Sequence, residues 1–256
     1  MKILLTNDDG IYSEGIQALK RQLDNIAEVT VIAPDRERST IGHAMTLHKP
    51  LRIKEVTLND NAVGYSVNGT PTDCIIIGLL EIMKENNPDL IVSGINRGPN
   101  LGDDITYSGT VSAALEGALK GIPSLAISIA GFKDLKFDTA ALFAERLISN
   151  LFNNNLPQNL LLNINVPNIN YNELEGVEIT RQGKRIYQSE IKKIDDPSGV
   201  THYWLGGDLP DGKIEPGTDF EAIYKRKVSI TPLTVDFTNY SIIPKIKNWS
   251  EKWNMV

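Results

Sequence analysis

The chain has 256 residues, with 32 Asp or Glu against 26 Lys or Arg and a formal net charge of −6. Its 41% hydrophobic and 23% charged residues exclude disorder and collagen, and its single Cys excludes an internal disulfide or a Cys-based zinc site. The acidic balance speaks against a binder of extended nucleic acid, which needs a basic face, but not against a small anion that arrives with a cation.

At the N-terminus the apolar run Ile3-Leu4-Leu5 meets Asn7-Asp8-Asp9 after three residues. A signal peptide needs an apolar stretch of about 7–15 residues. No uncharged run approaches the roughly 18 residues of a spanning helix. The expectation is a soluble, cytoplasmic protein with no membrane partner.

Ile3 to Thr6 reads as a buried strand stopped by Asn-Asp-Asp-Gly. Ile16, Leu19, Leu23 and Ile26 recur at helical spacing. Val29 to Ala33 is a second buried strand closed by Pro34, and residues 36–46 read as a loop. Leu51 to Val56 and Gly64 to Val67 flank Asn59-Asp60-Asn61 and predict a hairpin. Thr72 to Met83 is apolar and helical, and Leu90 to Val92 is a third core strand leading into a Gly/Asn/Asp loop. Then come a small-residue helix over Val111 to Leu119, a strand over Ile122 to Ala130, a helix over Ala140 to Leu151 and a strand over Leu160 to Val166. Alternating strand and helix predicts a doubly wound α/β fold with a mostly parallel sheet.

The pattern changes after residue 170. Val177 to Thr180, His202 to Leu205 and Phe220 to Ile230 read as antiparallel strands or hairpins, and all three Trp (Trp204, Trp249, Trp253) lie here. The expected organisation is a core over 1–170 and a β-rich extension with a C-terminal helix over 171–256. So short an extension is not an independent domain and packs on the core or on a second subunit. Trp249, Trp253, Met255 and Val256 in an otherwise polar tail point to oligomer formation.

In open α/β sheets ligands bind beyond the carboxyl ends of the strands, where the strand order reverses. If the first strand is central, the loops after strands one, two and the Leu90 strand meet. The first carries Asp8 and Asp9. Adjacent strand residues point to opposite faces, so two neighbouring carboxylates share one cation only where the chain turns, and Gly10 permits the turn. Oxygen ligands suit Mg²⁺ or Mn²⁺. Asp-Gly is equally the signature of a plain turn with an Asp capping the next helix.

The loop from Ser93 to Asp104 is rich in Gly and Asn and lets backbone N–H groups approach an anion. It runs into Tyr107-Ser108-Gly109-Thr110 at the head of the small-residue helix. That is a phosphate site, or a simple N-cap by Ser108 or Thr110. No P-loop lysine, dinucleotide fingerprint or Gly-x-Ser-x-Gly elbow is present. His43, His48 and His202 lack ligand spacing, and Cys74 reads as a small core residue.

Asn7-Asp8-Asp9-Gly10, Ala33-Pro34 with Ser39, Gly69-Thr70-Pro71-x-Asp73-Cys74, Ser93-Gly94-Ile95-Asn96-x-Gly98-x-Asn100-x-Gly102 and Tyr107-Ser108-Gly109-Thr110-Val111 closely resemble the motifs of the SurE family. So do Ala113-Ala114-x-Glu116-Gly117, Thr218-Asp219 and Val228 to Leu233, so the resemblance spans nearly the whole chain. It implies a Rossmann-like core with a C-terminal β-rich extension that forms dimers or tetramers. It also implies a cytoplasmic, metal-dependent 5′-nucleotidase acting on nucleoside monophosphates, with 3′-nucleotidase and polyphosphatase activity in certain members. One divalent metal would be held by Asp8, Asp9, Ser39 and Asn96. Asn96, Ser108, Gly109 and Thr110 would hold the phosphate during direct hydrolysis by a metal-activated water. Asp8, Asp9, Asn96 and Ser108 are thus the expected catalytic set, with Asp104 and His43 as candidates to protonate the leaving group. The alternatives are a non-catalytic nucleotide sensor and a Rossmann-type nucleotide-sugar glycosyltransferase.

Overall fold

The computed structural model describes residues 1–154, 156–157, 159–186, 190–206, 211–250 and 253. The chain order begins β1 (Lys2–Thr6), α1 (Glu14–Leu23), β2 (Glu28–Pro34), β3 (Ile53–Thr57), β4 (Val63–Val67) and α2 (Pro71–Ile77), which continues as a π-turn over Gly78–Ile82. It proceeds through β5 (Leu90–Arg97), a 3₁₀ turn over Gly102–Thr106, α3 (Gly109–Leu119), β6 (Ser124–Ala130), α4 (Phe137–Asn153) and β7 (Leu161–Pro167). Then come β8 (Val177–Ile179), β9 (Arg185–Ile186), β10 (Glu190–Asp195), β11 (Thr201–Gly206), β12 (Asp211–Gly212), α5 (Asp219–Tyr224), β13 (Val228–Pro232) and α6 (Ile243–Ser250).

Nine strands form one sheet in the order β3-β4-β2-β1-β5-β6-β7-β13-β8. β1 lies between β2 and β5 and is parallel to both, so the order reverses at β1 and the three expected loops leave the sheet side by side. Alternation along the strands serves both faces. Ile3, Leu5, Val31 and Val92 enter one apolar cluster with Leu19 of α1 and Ala144 of α4. Leu4, Ile32 and Ile91 enter another with Cys74 of α2 and Ala113 of α3. This is the expected doubly wound α/β architecture. The residues 58–62 turn joins β3 and β4 as the predicted antiparallel hairpin.

Two expectations for the later chain need correction. Phe220 to Ile230 is not one strand. Thr218 accepts the Glu221 N–H at its hydroxyl, caps α5, and a turn with Arg226 at φ +57° separates that helix from β13. β8 is not antiparallel: it runs parallel to β13, which is itself antiparallel to β7. Both strands prolong the main sheet past residue 170. Among the described residues, only β10–β11 and β9–β12 stand apart as small antiparallel pairs. The β10–β11 hairpin leaves Ile191, Ile194, Tyr203 and Trp204 exposed, and α6 has no buried residue. Trp249 and Trp253 are exposed, while Met255 and Val256 lie outside the described residues. Among the described residues no helix is long and apolar enough to cross a membrane.

Candidate active site

β1 ends in a turn that Asn7 holds from within. Its buried amide donates to the Gly10 carbonyl and to the Ser13 hydroxyl, and its carbonyl accepts the Gly10 N–H. Gly10 has φ +101°, a conformation that costs a side-chain-bearing residue, and a Cβ there would stand 3.2 Å from the Arg36 backbone. The turn delivers Asp8 and Asp9 to the mouth of the sheet. Asn7 had no expected role; its signal was a buried amide at a strand end, which sequence alone does not distinguish from an ordinary turn asparagine.

Asp8 is buried, and its Oδ1 accepts a 2.5 Å hydrogen bond from the Thr110 hydroxyl. Burial pushes the carboxyl from 3.8 up to about 6, against the Thr110 hydrogen bond and with help from the neighbouring charge of Asp9. Asp9 is half-buried and accepts the Arg97 N–H at 3.1 Å. Burial raises its carboxyl too, opposed by Arg97 and reinforced by Glu37. The loop after β2 closes on the same place, since the Arg38 N–H donates to the Asp8 carbonyl at 2.7 Å. Ser39 follows directly; it is exposed, and its hydroxyl donates to Glu37.

β5 is longer than its apolar run. It continues through Ser93-Gly94-Ile95-Asn96-Arg97, with a register shift against β6 between Ser93 and Asn96 and a cis peptide at Gly94–Ile95. Asn96 is half-buried at the end of this strand, and its amide donates to the Gly98 carbonyl. Across the mouth, α3 begins with Ser108 as N-cap, its hydroxyl accepting the Val111 N–H. Gly109 is needed for proximity: a Cβ there would stand 2.8 Å from the Cβ of Asp8. The helix therefore points its N-terminus at the Asp8 carboxylate. Thr110 was expected on a phosphate, yet in this arrangement its hydroxyl serves Asp8.

Asp8, Asp9, the Arg38–Ser39 backbone, Asn96 and Ser108–Thr110 thus converge from the loops after β1 and β2, the end of β5 and the head of α3. A cavity of about 340 Å³ opens beside them, lined by Asp9, Tyr12, Arg36, Glu37 and Arg97 among others. His43 and Asp104 are engaged elsewhere. His43 Nε2 lies 3.0 Å from buried Glu116 on α3, and Asp104 pairs with Arg185 at 2.7 Å. Cys74 is buried and free, and burial pushes its thiol up. His202 pairs with Asp196 in the β10–β11 hairpin, and His48 is exposed.

No group of three or more His, Cys, Asp or Glu among the described residues is arranged to hold a metal. The donors at this site are instead two carboxylates with neutral oxygens. Two desolvated carboxylates side by side lack solvation for their charge, and hard oxygen donors of this kind suit a divalent cation. The residues present fit such an ion.

Residues 3–189 match the family model for survival protein SurE. A 5′-nucleotidase SurE from Geobacter sulfurreducens is 48% identical over 250 residues, covering 97% of this chain and 94% of that protein. One from Desulforudis audaxviator is 46% identical over 259 residues, covering 99% of both. The crystal structure of the SurE protein from Aquifex aeolicus superposes with a TM-score of 0.85 at 41% identity, covering 98% of this chain and 100% of that one.

Proposed function

The chain belongs to the SurE family, and on that premise we propose that it is a divalent-metal-dependent 5′-nucleotidase, hydrolysing nucleoside 5′-monophosphates to nucleoside and phosphate. The observation that carries this reading is buried Asp8 beside Asp9 at the point where the strand order reverses, facing the N-terminus of α3.

Asp8, Asp9, Ser39 and Asn96 would hold one Mg²⁺ or Mn²⁺ ion per subunit, the Ser39 hydroxyl turning from Glu37 to do so. The two negative charges balance the cation, so a phosphate dianion meets a site close to neutral. A divalent ion held there supplies Lewis-acid polarisation of the phosphoryl group and an acidified water. The chain's own residues orient the substrate. The first N–H groups of α3 have no partner within the helix and carry the positive end of its dipole, so Gly109 and Thr110 favour an anion. Ser108 and Asn96 add side-chain hydrogen bonds where charge grows on the phosphoryl oxygens. His43 and Asp104 stay the candidates to protonate the leaving group, His43 oriented through Nε2 by buried Glu116 and Asp104 paired with Arg185.

Residues 1–170 act as the catalytic core and 171–256 as the extension that joins copies. The exposed Ile191, Ile194, Tyr203 and Trp204 of the hairpin support a homodimer or homotetramer, since a lone two-stranded hairpin is marginal without a surface to cover it. The single Cys fits a reducing compartment, and a cytoplasmic location belongs to the same reading.

The test is phosphate release from AMP, GMP, 3′-monophosphates and short polyphosphate with Mg²⁺, with Mn²⁺ and with chelator. Release from 5′-monophosphates should require the divalent ion. Asp8→Asn should lose at least about 10²-fold in kcat while staying folded. A wild-type rate in Asp8→Asn would sink the metal assignment.

A further inference from the structure

Thr218-Asp219 belongs to the sequence resemblance but has no part in the site described above. Asp219 is buried and distant in sequence from every proposed ligand. Its Oδ2 nevertheless accepts the Gly102 N–H at 2.8 Å, and its Oδ1 accepts the Gly183 N–H at 2.9 Å and its neighbour Phe220 N–H at 2.9 Å. Burial raises the Asp219 carboxyl against these three N–H donors.

The next turn of the same loop is held by Arg185. Its backbone N–H donates to Asp103 at 3.1 Å, its guanidinium reaches Asp104 at 2.7 Å, and the guanidinium stacks on the Phe220 ring with 5.4 Å to the centroid. Gly102 has φ +54°, and a Cβ there would meet Phe220 at 2.8 Å and the Gly183 carbonyl at 3.0 Å. So segments 183–185 and 219–220 close directly on residues 102–104, which lie between Asn96 and Ser108. From Asp104 the connection is short. The Tyr107 N–H donates to the Asp104 carbonyl, and the Tyr107 carbonyl accepts the Gly42 N–H from the Ser39 loop.

We propose that Asp219 and Arg185 are positioning residues that fix Gly102–Asp104 and thereby set where Ser108 and the head of α3 stand relative to Asn96. The proposal rests on the nucleotidase reading for its kinetic consequence, not for its structural one. A shift near 1 Å at groups aligned on a reacting phosphate costs about 10²-fold in rate. Groups that act on charge formed in the transition state lower kcat and kcat/KM together when displaced.

The experiment compares wild type with Asp219→Asn, Arg185→Gln and Arg185→Lys as full-length proteins. Each is measured for AMP hydrolysis with Mn²⁺, for Mn²⁺ affinity, and for amide hydrogen exchange of metal-free protein over residues 98–111. The expected result is a kcat loss of about 10- to 100-fold for Asp219→Asn and Arg185→Gln, with KM and Mn²⁺ affinity within about threefold of wild type. Exchange in 98–111 should quicken by roughly tenfold while the sheet stays protected. Arg185→Lys keeps the charge but not the planar fork, so it should recover part of the kcat lost in Arg185→Gln. Unchanged exchange in 98–111 overturns the proposal, as does unchanged kcat. If Asp219→Asn does not fold, the two Arg185 variants decide by the same readings. A wild-type protein that releases no phosphate overturns the nucleotidase reading alone, and exchange then decides on the positioning role.

Discussion

Thr110 and Asp8 meet across the mouth of the sheet, the threonine hydroxyl donating to Oδ1 of the carboxylate. Thr110 is fully buried, so no water replaces that donor if it is lost. Thr110→Val keeps the shape and removes the hydrogen bond, leaving a carboxylate already raised by burial to rise further. Mn²⁺ affinity should fall about 10- to 100-fold, the usual cost of removing a partner that orients a metal ligand. Thr110→Ser should retain most of it. Calorimetric Mn²⁺ titration of the three proteins checks this, and equal affinities would separate Thr110 from the metal.

The same carboxyl gives a pH dependence whose sign is fixed. Asp8 sits near 3.8 when unfolded and is pushed up to about 6 when folded. Metal-free folded protein then binds this proton more tightly than the unfolded chain, so stability falls as pH rises from about 3.8 through about 6 and levels off above. Asp8→Asn should remove that component, leaving the variant more stable than metal-free wild type near pH 7.5 by on the order of 3 kcal/mol. Denaturant midpoints of both chelated proteins near pH 5 and near pH 7.5 measure it. A gap that does not widen with pH contradicts the burial account.

Gly109→Ala tests how closely α3 must approach. The added methyl carbon would stand 2.8 Å from Asp8 Cβ and 2.9 Å from its Oδ2. Alanine suits a helix better than glycine by up to about 1 kcal/mol, so the fold should tolerate the change. The displaced carboxylate should cost more than about tenfold in kcat/KM for AMP. Full activity with an unchanged melting temperature would mean that the site adjusts freely.

A chain ending at Pro232 lacks α6 with its exposed Trp249, and Trp253 as well. It keeps all nine strands of the main sheet. Its mass by light scattering should fall below that of the full chain at equal concentration. An unchanged oligomer would shift the contact to the β10–β11 hairpin.

Much of the core was legible because it depends on local signals. The apolar triplet before Asn7, the spacing of Ile16, Leu19 and Leu23, and the turn at Asn59-Asp60 all translate directly into β1, α1 and the β3–β4 hairpin. The misread pieces are those where a local cue competes with a tertiary one. Phe220 to Ile230 is rich in strand-forming residues, but Thr218 caps a short helix there and the strand begins only at Val228. β5 was read as ending at Val92 because Ser93-Gly94 looks like a stop, yet the ladder resumes after its register shift. Asp8 and Asp9 stood out as neighbours in sequence. The partners that hold the site (Asn100 pinned by Asn163 and Asn165, Gly102 by Asp219, His43 by Glu116) are separated by 63 to 117 residues or by 73, and no spacing rule joins them.

The strand order has a consequence for synthesis. β13 is inserted between β7 and β8 although it is the last strand made. During translation the chain emerges N-terminus first and folds as its units are completed. Until Val228–Pro232 leaves the ribosome, the outer edge of β7 stays bare and β8 has no neighbour to join. Every residue proposed to touch metal or phosphate is already present by then. The nascent protein therefore passes through a stage at which its chemistry is written but the sheet beneath it is unfinished, with an open strand edge as its point of exposure to other chains.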